Sequence, residues 1–251
     1  MALCTIHFRS EAIQKDDTMQ VIVPDGPGPF PVLYLLHGLT GDYAWWSRFL
    51  AVERLVADRG LMVVMPDTHR CCYVNDPRPG GFAYEDHIIQ DVLGFVDRVF
   101  PTIRDRRGRA VAGISMGGYG ALMLALRHPD LFSATANISG SLLLAHDTVH
   151  RDDNIRWLSE AMAPEEYDLW RLAERHAQGG PSLAIRCSCG TEDGLLGYNR
   201  DWSAHLTRLG IAHEYVEHPG AHDWTSWVAQ TPAAIDFCAQ HLGLGATAAE
   251  G

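Results

Sequence analysis

A serine between two glycines is the residue best suited to do chemistry in this sequence. Ser115 stands in the run Gly113-Ile-Ser115-Met-Gly117, which follows a short apolar stretch and begins a segment with helical spacing. In that context a sharp strand-to-helix turn strains the serine backbone, and Gly113 and Gly117 let strand and helix approach closely. The pattern predicts a serine nucleophile whose Oγ projects into open space. From this run alone, the alternative is a serine that caps the start of a helix.

A serine hydroxyl is a weak nucleophile, so it needs a base, and the base needs a carboxylate to orient it. In the chain order Ser, acid, His, each partner follows a later strand. Asp193 follows the apolar stretch at 183–189, and His222 follows the stretch at 214–217. We predict that His222 takes the proton from Ser115 and that Asp193 orients the imidazole.

Other residues compete for these two roles. Glu192 and Asp201 are alternative acids, and His218 and His241 are alternative bases. A histidine beside a Pro-Gly turn is more often a surface residue than a catalyst, so the role of His222 depends on the serine and the acid. A zinc site of the H-E-x-x-H type is excluded, because the Pro-Gly pair between His218 and His222 keeps them off one helical face.

Attack by a serine on a carbonyl creates an alkoxide that needs aimed hydrogen-bond donors, each worth about 3 to 4 kcal/mol. One candidate donor is the N–H of Met116, the residue after the predicted nucleophile. The second is the N–H of Leu39, in the glycine-bearing loop at 37–41 that follows the apolar stretch at 32–36. Without the serine turn, this loop would be an ordinary strand-to-helix connection.

Short apolar stretches alternate with segments of helical spacing along most of the chain. The predicted strands are residues 32–36, 61–65, 110–114, 134–138 and 183–187, and the predicted helices are 44–59, 84–100, 117–128, 199–209 and 225–241. Polar and apolar residues alternate at 4–8 and 19–23, which predicts an opening antiparallel pair. The pattern predicts the α/β class, with a mostly parallel central sheet covered by helices on both faces.

We expect a single domain over residues 1–251. Two stretches break the alternation: a loop rich in Pro, Gly and Arg at 68–82, and residues 142–180, which indicate short polar helices between two strands. We interpret 142–180 as a small cap insertion over a cleft, with a packed connection remote from any chemistry as the alternative. Residues 245–251 are expected to form a frayed tail.

The charge balance restricts the partners. The chain has 251 residues, with 20 Lys and Arg against 31 Asp and Glu and a formal net charge of −11. This balance disfavours nucleic acid and an anionic membrane surface as partners. No apolar run reaches the roughly 18 residues of a spanning helix, and the amino-terminal residues lack a long apolar signal region. We therefore expect a cytoplasmic protein whose six cysteines are reduced.

Five motifs occur in a characteristic order: LLHGLTG at 35–41, PGGFAYED at 79–86, GISMGGYGA at 113–121, CGTED at 189–193 and GAHDWTSW at 220–227. Together they resemble the esterase D family of α/β-hydrolases, which holds S-formylglutathione hydrolases and tributyrin and feruloyl esterases. The resemblance covers nearly the whole chain. It implies the α/β-hydrolase fold, no cofactor and a small-molecule ester substrate. Because many relatives are dimers or tetramers, it also implies a homo-oligomer.

The resemblance assigns functional positions in this chain. These are Ser115, Asp193 and His222 for the catalytic triad, Leu39 and Met116 for the oxyanion donors, and Trp45, Trp46 and Trp224 for substrate binding near the cleft. The alternative for Trp45 and Trp46 is a place in the core, where aromatic residues at a helix start are also found.

The loop at 37–41 departs from one branch of the family. S-formylglutathione hydrolases usually carry Ser-Gly-Leu-Thr-Cys where this chain has His-Gly-Leu-Thr-Gly, which is closer to the bacterial short-chain esterases. We therefore predict a serine carboxylesterase that hydrolyses short-chain acyl esters through an acyl-enzyme. The alternatives are an S-formylglutathione hydrolase, which would use the same residues on a thioester, and a hydrolase-fold binding protein without turnover.

Overall fold

A single sheet of eight strands runs through the part of the chain that the structure describes. The computed structural model describes residues 1–142 and 164–245. The strands are β1 (Ala2–Ser10), β2 (Lys15–Val23), β3 (Val32–Leu36), β4 (Met62–Pro66), β5 (Arg109–Ile114), β6 (Ala134–Ile138), β7 (Ala184–Gly190) and β8 (Glu214–His218). They lie in the order β1-β2-β4-β3-β5-β6-β7-β8.

The sheet is mostly parallel. β1 pairs antiparallel with β2, and β2 pairs antiparallel with β4. All other neighbours are parallel. The predicted opening pair and the predicted parallel sheet are therefore confirmed. Because the strands from β3 to β8 run in one direction, their carboxyl ends meet at one edge of the sheet, where a parallel sheet offers a crevice for ligands.

Helices connect most of the strands. They are α1 (Trp45–Leu50), α2 (Val52–Val56), α3 (Tyr84–Asp86), α4 (Leu93–Val99), α5 (Met116–Arg127), α6 (Pro164–Tyr167), α7 (Leu169–Ala177), α8 (Leu196–Arg208) and α9 (Trp224–His241). A π-helical segment, His87–Val92, joins α3 to α4, and a 3₁₀ turn, Arg106–Gly108, precedes β5.

Both faces of the sheet are covered, as predicted. Side chains of a strand alternate between the two faces, and in β3 Val32 and Tyr34 belong to one apolar cluster whereas Leu33 and Leu35 belong to another. The first cluster contains residues of α4, α5, α7 and α8. The second contains residues of α1, α2 and α9. This two-sided burial explains why the strand sequences are continuously apolar.

The helix predicted at 44–59 is two helices, because Ala51 between α1 and α2 adopts a left-handed conformation with φ 47°. A helix turns 100° per residue, so Trp46 and Val52 would point about 120° apart on one continuous helix. The break lets both side chains be buried in the same cluster. The helix predicted at 84–100 is continuous, but its π-helical segment buries His87 fully, with Nδ1 2.8 Å from Ser10 Oγ.

The predicted cap falls only partly on described residues. Residues 143–163 of the segment at 142–180 lie outside them, as do 246–251 of the predicted tail. The described part forms α6 and α7, and Tyr167, Leu169 and Leu172 are buried against the core. Among residues 1–142 and 164–245, no helix combines the length and the apolar character that crossing a membrane requires.

Candidate active site

Ser115 lies at the turn from β5 into α5, with φ 53° and ψ −118°. This backbone region is strained for a residue with a side chain. The turn is tight, because a Cβ on Gly113 would lie 2.3 Å from the carbonyl oxygen of Gly117, and one on Gly117 would lie 2.4 Å from that of Leu36. Glycine is therefore required at both positions, as the sequence predicts.

Three distant side chains meet in a hydrogen-bonded chain. Ser115 Oγ lies 2.9 Å from His222 Nε2, and His222 Nδ1 lies 2.8 Å from Asp193 Oδ2. The Asp193 side chain is fully buried, whereas the imidazole is 34% exposed. With Asp193 accepting a hydrogen bond from Nδ1–H, Nε2 of a neutral imidazole is the acceptor that faces the serine hydroxyl. The arrangement can move a proton from Ser115 to His222.

The charge of Asp193 is maintained by its hydrogen bonds. Burial alone would raise the pKa of this carboxyl group, but the hydrogen bonds from His222 and from Leu195 N–H lower it below its ordinary value. The Leu195 N–H donates to Oδ1 at 2.8 Å. Asp193 is therefore a carboxylate at neutral pH, and it favours the imidazole tautomer described above.

The competing acids and bases take other positions. Glu192 accepts hydrogen bonds from the Thr191 hydroxyl and from Gly220 N–H, and Asp201 is exposed in α8. His218 ends β8, and the ring of His241 packs on Phe237 in α9. Of these candidates, the structure brings only His222 and Asp193 into contact with each other.

The two predicted oxyanion donors border the same cavity as Ser115. Met116 is the first residue of α5, so its N–H has no acceptor one helical turn earlier. Within the described residues, no group accepts a hydrogen bond from Leu39 N–H. The loop of Leu39 abuts the serine, since a Cβ on Gly38 would lie 3.5 Å from Ser115 Cβ.

The cavity at Ser115 has a volume of about 530 Å³. Its mostly apolar walls include Trp45, Cys72, Leu195 and Trp227. Of the described residues that line it, none is a lysine or an arginine. A concave, mostly apolar cavity of this kind is typical of a small-molecule site.

The three tryptophans predicted beside the cleft differ in position. Trp45 lines the cavity, but Trp46 is fully buried in the core and has no access to it. Neighbouring helical residues point about 100° apart, so only one of the pair can face the cavity. Trp224 packs between Trp45 and Phe49, with ring centroids 5.0 Å and 4.7 Å away, and does not line the cavity. The substrate-facing role predicted for Trp46 and Trp224 is thus corrected by their packing.

The cavity also contains residues that the sequence analysis did not assign to the site, and three of them are Trp227, Cys72 and Ser141. The ring of Trp227 lies at 89° to that of His222, with the ring centroids 4.9 Å apart. Cys72 comes from the loop at 68–82. Ser141 follows β6 and donates its N–H to the Ser115 carbonyl at 3.1 Å. Ser141 could have been found, because β6 is next to β5 and both carboxyl ends meet at the crevice. No local pattern points to Cys72.

Metal-binding side chains are dispersed. Across the described ranges, no three His, Cys, Asp or Glu side chains lie close enough to share a metal ion. All six cysteines are free thiols.

Comparison with known proteins decides the family. The model of the Esterase family matches residues 10–237. The chain belongs to this family. Among its relatives, an acetyl esterase from Caldicellulosiruptor saccharolyticus is 27% identical, over 90% of this chain and 94% of that protein. Esterase Rv1288 from Mycobacterium tuberculosis is 29% identical, over 86% of this chain but 54% of that protein.

Solved structures show the same fold. The substrate-bound fluorophosphonate-binding serine hydrolase FphF of Staphylococcus aureus superposes with a TM-score of 0.86 at 26% identity, over 95% of this chain and 98% of that chain. The S-formylglutathione hydrolase FrmB of the same organism gives 0.83 at 26% identity, with the same coverage. The esterase therefore has the α/β-hydrolase fold and is a serine ester hydrolase, which disfavours the alternative of a binding protein without turnover.

Proposed function

We propose that this esterase is a serine carboxylesterase that hydrolyses short-chain acyl esters through an acyl-enzyme intermediate. The observation that carries the proposal is the continuous hydrogen-bonded chain from Ser115 through His222 to Asp193, which opens into an apolar cavity. A strained turn aims Ser115 into that cavity. These are the parts that nucleophilic attack on an ester carbonyl requires.

Acylation begins when Ser115 Oγ attacks the ester carbonyl and His222 Nε2 takes the hydroxyl proton. Asp193 stabilises the imidazolium that results. The N–H groups of Leu39 and Met116 donate to the alkoxide of the tetrahedral intermediate. As the intermediate collapses, the bond to the alcohol breaks and His222 returns the proton to the leaving oxygen.

Deacylation repeats these roles with water. His222 takes a proton from a water molecule, which attacks the acyl carbonyl, and the same two N–H groups stabilise the second alkoxide. When the bond to Ser115 breaks, His222 returns the proton to Oγ, so the carboxylic acid leaves and the free serine is restored.

The direct test is Ser115→Ala. We expect a folded protein whose kcat for p-nitrophenyl acetate falls by up to about 10⁶-fold, the scale measured for the nucleophile of a comparable triad. Ser203→Ala, in α8 and hydrogen-bonded to His213, is the matched control and should keep full activity. A fluorophosphonate probe should label the wild-type enzyme and Ser203→Ala, but not Ser115→Ala. Near-normal turnover by Ser115→Ala would refute the mechanism.

The preference for short acyl chains is supported by the relative named acetyl esterase. A series of p-nitrophenyl acetate, butyrate, octanoate and palmitate measures it. We expect kcat/KM to be highest for acetate or butyrate and to fall for the longer chains. A maximum at palmitate would contradict the short-chain assignment.

Thioester hydrolysis is the second candidate, because one similar structure is an S-formylglutathione hydrolase. Glutathione carries two carboxylates, and the described walls of the cavity contain neither lysine nor arginine to bind them. We therefore expect kcat/KM for p-nitrophenyl acetate to exceed that for S-formylglutathione. The reverse order would assign the thioester as the better substrate.

The homo-oligomer and the cap at 142–180 stay predictions. Analytical ultracentrifugation measures the oligomer. Comparing short-chain and long-chain esters before and after deletion of the cap measures whether this segment limits access to Ser115.

A further inference from the structure

His37 is a buried histidine that the proposed mechanism does not use. It directly follows β3 and is 1% exposed, beneath the loop that carries Leu39. Its Nδ1 lies 2.7 Å from the Gly38 carbonyl oxygen, and its Nε2 lies 3.1 Å from Thr68 N. Both ring nitrogens therefore have partners, one in the oxyanion loop and one in the loop that follows β4.

These partners define the tautomer of His37. The Thr68 N–H can only donate, so Nε2 must accept, and a neutral imidazole then carries its proton on Nδ1. That proton points to the Gly38 carbonyl. The Thr68 hydroxyl, 3.2 Å from Nε2, adds a polar contact on the same side. Asp67 Oδ1 lies 3.6 Å from Nε2, and the Tyr73 hydroxyl donates to the His37 carbonyl at 2.9 Å.

The Gly38 carbonyl and the Leu39 N–H belong to one planar peptide unit. In a trans peptide these two groups point in opposite directions. Whatever holds the carbonyl oxygen therefore also aims the N–H. Two donors hold the oxygen: the imidazole of His37 and, at 3.0 Å, the N–H of Gly41. The Leu39 N–H, on the opposite side of the plane, donates to no described residue.

We propose that His37 is a positioning residue for the esterase reaction: as the Nδ1–H tautomer imposed by Thr68, it holds the Gly38 carbonyl and thereby aims the Leu39 N–H at the developing alkoxide. This inference rests on the proposed function, because the direction of that N–H affects the rate only when Ser115 forms a tetrahedral intermediate. His37 exchanges no proton with the substrate.

Two substitutions distinguish the roles of the two ring nitrogens of His37. An asparagine amide reaches the position of Nδ1, so His37→Asn keeps a donor for the Gly38 carbonyl. A glutamine amide reaches the position of Nε2, so His37→Gln keeps a partner for Thr68 but leaves that carbonyl without its side-chain donor. Removing one oxyanion donor outright costs about 10²- to 10³-fold in kcat. For a misaimed donor we expect a loss of about tenfold or more in His37→Gln, a smaller change in KM, and recovery of most of this loss in His37→Asn.

The inhibition constant of a tetrahedral inhibitor is a second measurement, and general destabilisation of the fold would not change it. Phenylboronic acid forms a tetrahedral adduct with a reactive serine, so its inhibition constant should rise in His37→Gln by a factor similar to the loss in kcat. His213→Gln, a half-buried histidine in the loop before β8, is the matched control and should change neither quantity. The proposal is overturned if folded His37→Gln keeps the wild-type kcat, or if His37→Asn and His37→Gln lose activity equally.

The tautomer can be measured in the wild-type protein, whether or not a variant folds. Long-range ¹H–¹⁵N correlation spectra distinguish Nδ1–H from Nε2–H, and neutral His37 should show Nδ1–H. An Nε2–H tautomer would overturn the proposal. The two failures can be distinguished. Full activity of Ser115→Ala would refute the proposed function, because Ser115 would then not be the nucleophile. The tautomer of His37 in the wild-type protein tests the His37 proposal independently of that result.

Discussion

Asp193 is a buried carboxylate whose role depends on the direction of its hydrogen bonds. It accepts from His222 Nδ1–H on one oxygen and from Leu195 N–H on the other. Replacing the carboxylate by an amide permits donation toward Nδ1, which favours the tautomer with a proton on Nε2 and removes the base that faces Ser115.

We therefore expect Asp193→Asn to fold and to lose about 10⁴-fold in kcat, measured with p-nitrophenyl acetate. Glu192→Gln is the matched control, since that neighbouring carboxylate bonds to Thr191 and Gly220 rather than to His222. It should keep kcat within a few fold. Equal losses in the two variants would show that the orienting carboxylate has been assigned wrongly.

The pH dependence follows from the same two residues. Because hydrogen bonding lowers the pKa of Asp193 below its ordinary value, this carboxylate stays charged on acidification from neutral pH to pH 5. A protonated imidazole cannot accept the Ser115 proton, so kcat/KM should fall as acid protonates the base. A flat profile of kcat/KM for p-nitrophenyl acetate over this range would argue against His222 as the base.

Cys72 lines the cavity, yet we expect it to be unreactive. Burial raises the pKa of its thiol to about 12, despite the opposing effect of Arg70, and only the thiolate is nucleophilic. Iodoacetamide at pH 7.5 should therefore leave the esterase activity intact for hours. Rapid inactivation that disappears in Cys72→Ser would contradict this prediction.

At the scale of elements, a carboxylate at the start of one helix connects three segments. Glu85 in α3 accepts hydrogen bonds from Arg127 Nε and His128 Nε2 at 2.7 Å, both at the end of α5. Its other oxygen accepts from the Tyr167 hydroxyl in α6 at 2.8 Å. Through these bonds, Glu85 attaches the described end of the predicted cap to α5, the helix that directly follows Ser115.

The pKa of Glu85 gives the sign of its contribution to stability. Burial raises this pKa, but the hydrogen bonds from His128 and Arg127 outweigh burial and lower it below the ordinary value. A carboxyl group whose pKa is lower in the folded state stabilises the fold at pH values above its unfolded-state pKa, which is near 4.3 for Glu. This stabilisation is lost as the pH falls through the folded-state pKa.

We expect Glu85→Gln to lower the free energy of unfolding by about 1.5 to 3 kcal/mol at pH 7, the range for hydrogen bonds to a charged group. The difference from wild type should shrink below pH 4. Urea unfolding of both proteins at pH 7 and pH 3.5 measures it, with Asp86→Asn as the neighbouring control. A difference that stays constant between the two pH values would show that the charge of Glu85 does not stabilise the fold.

The apolar periodicity of the sequence predicted where helices occur, but it did not predict where they are interrupted. The apolar spacing at 44–59 indicated a helix, but it could not show that Ala51 would adopt a left-handed conformation, because that break depends on which side chains the sheet can bury. The same limit applies to Trp45 and Trp46: the family resemblance placed both near the cleft, but the structure buries Trp46 in the core.

At the scale of the whole molecule, the parallel sheet explains which parts of the site could be predicted. Leu39, Ser115, Asp193 and His222 each follow a strand that ends at the same edge, so strand assignment brought their loops together. Cys72 comes from a long loop whose path depends on tertiary packing, and no spacing in the sequence reports it. Strongly patterned short loops were therefore predictable, and long irregular ones were not.

The net charge of −11 acts on every charged substrate that approaches the protein. Its field repels anions, and no described lysine or arginine in the cavity walls opposes it. Repulsion over such distances is screened by salt, since the Debye length falls from about 30 Å at 0.01 M to about 10 Å at 0.1 M and about 3 Å at 1 M. A neutral ester experiences none of this effect, so charge should discriminate between substrates of similar size.

Two matched esters test this prediction. Butyrate and succinate acyl groups have the same chain length, but the mono-p-nitrophenyl ester of succinate carries a free carboxylate at neutral pH and the butyrate ester does not. We expect kcat/KM for the succinate ester to rise between 0.01 M and 0.5 M salt while that for the butyrate ester changes little, because screening weakens only the first substrate's repulsion. A succinate ester that reacts fastest at low salt would instead require a cationic group at the entrance. Charge would then favour S-formylglutathione, which is also anionic, as a substrate. The salt dependence therefore tests the charge argument for the carboxylesterase assignment.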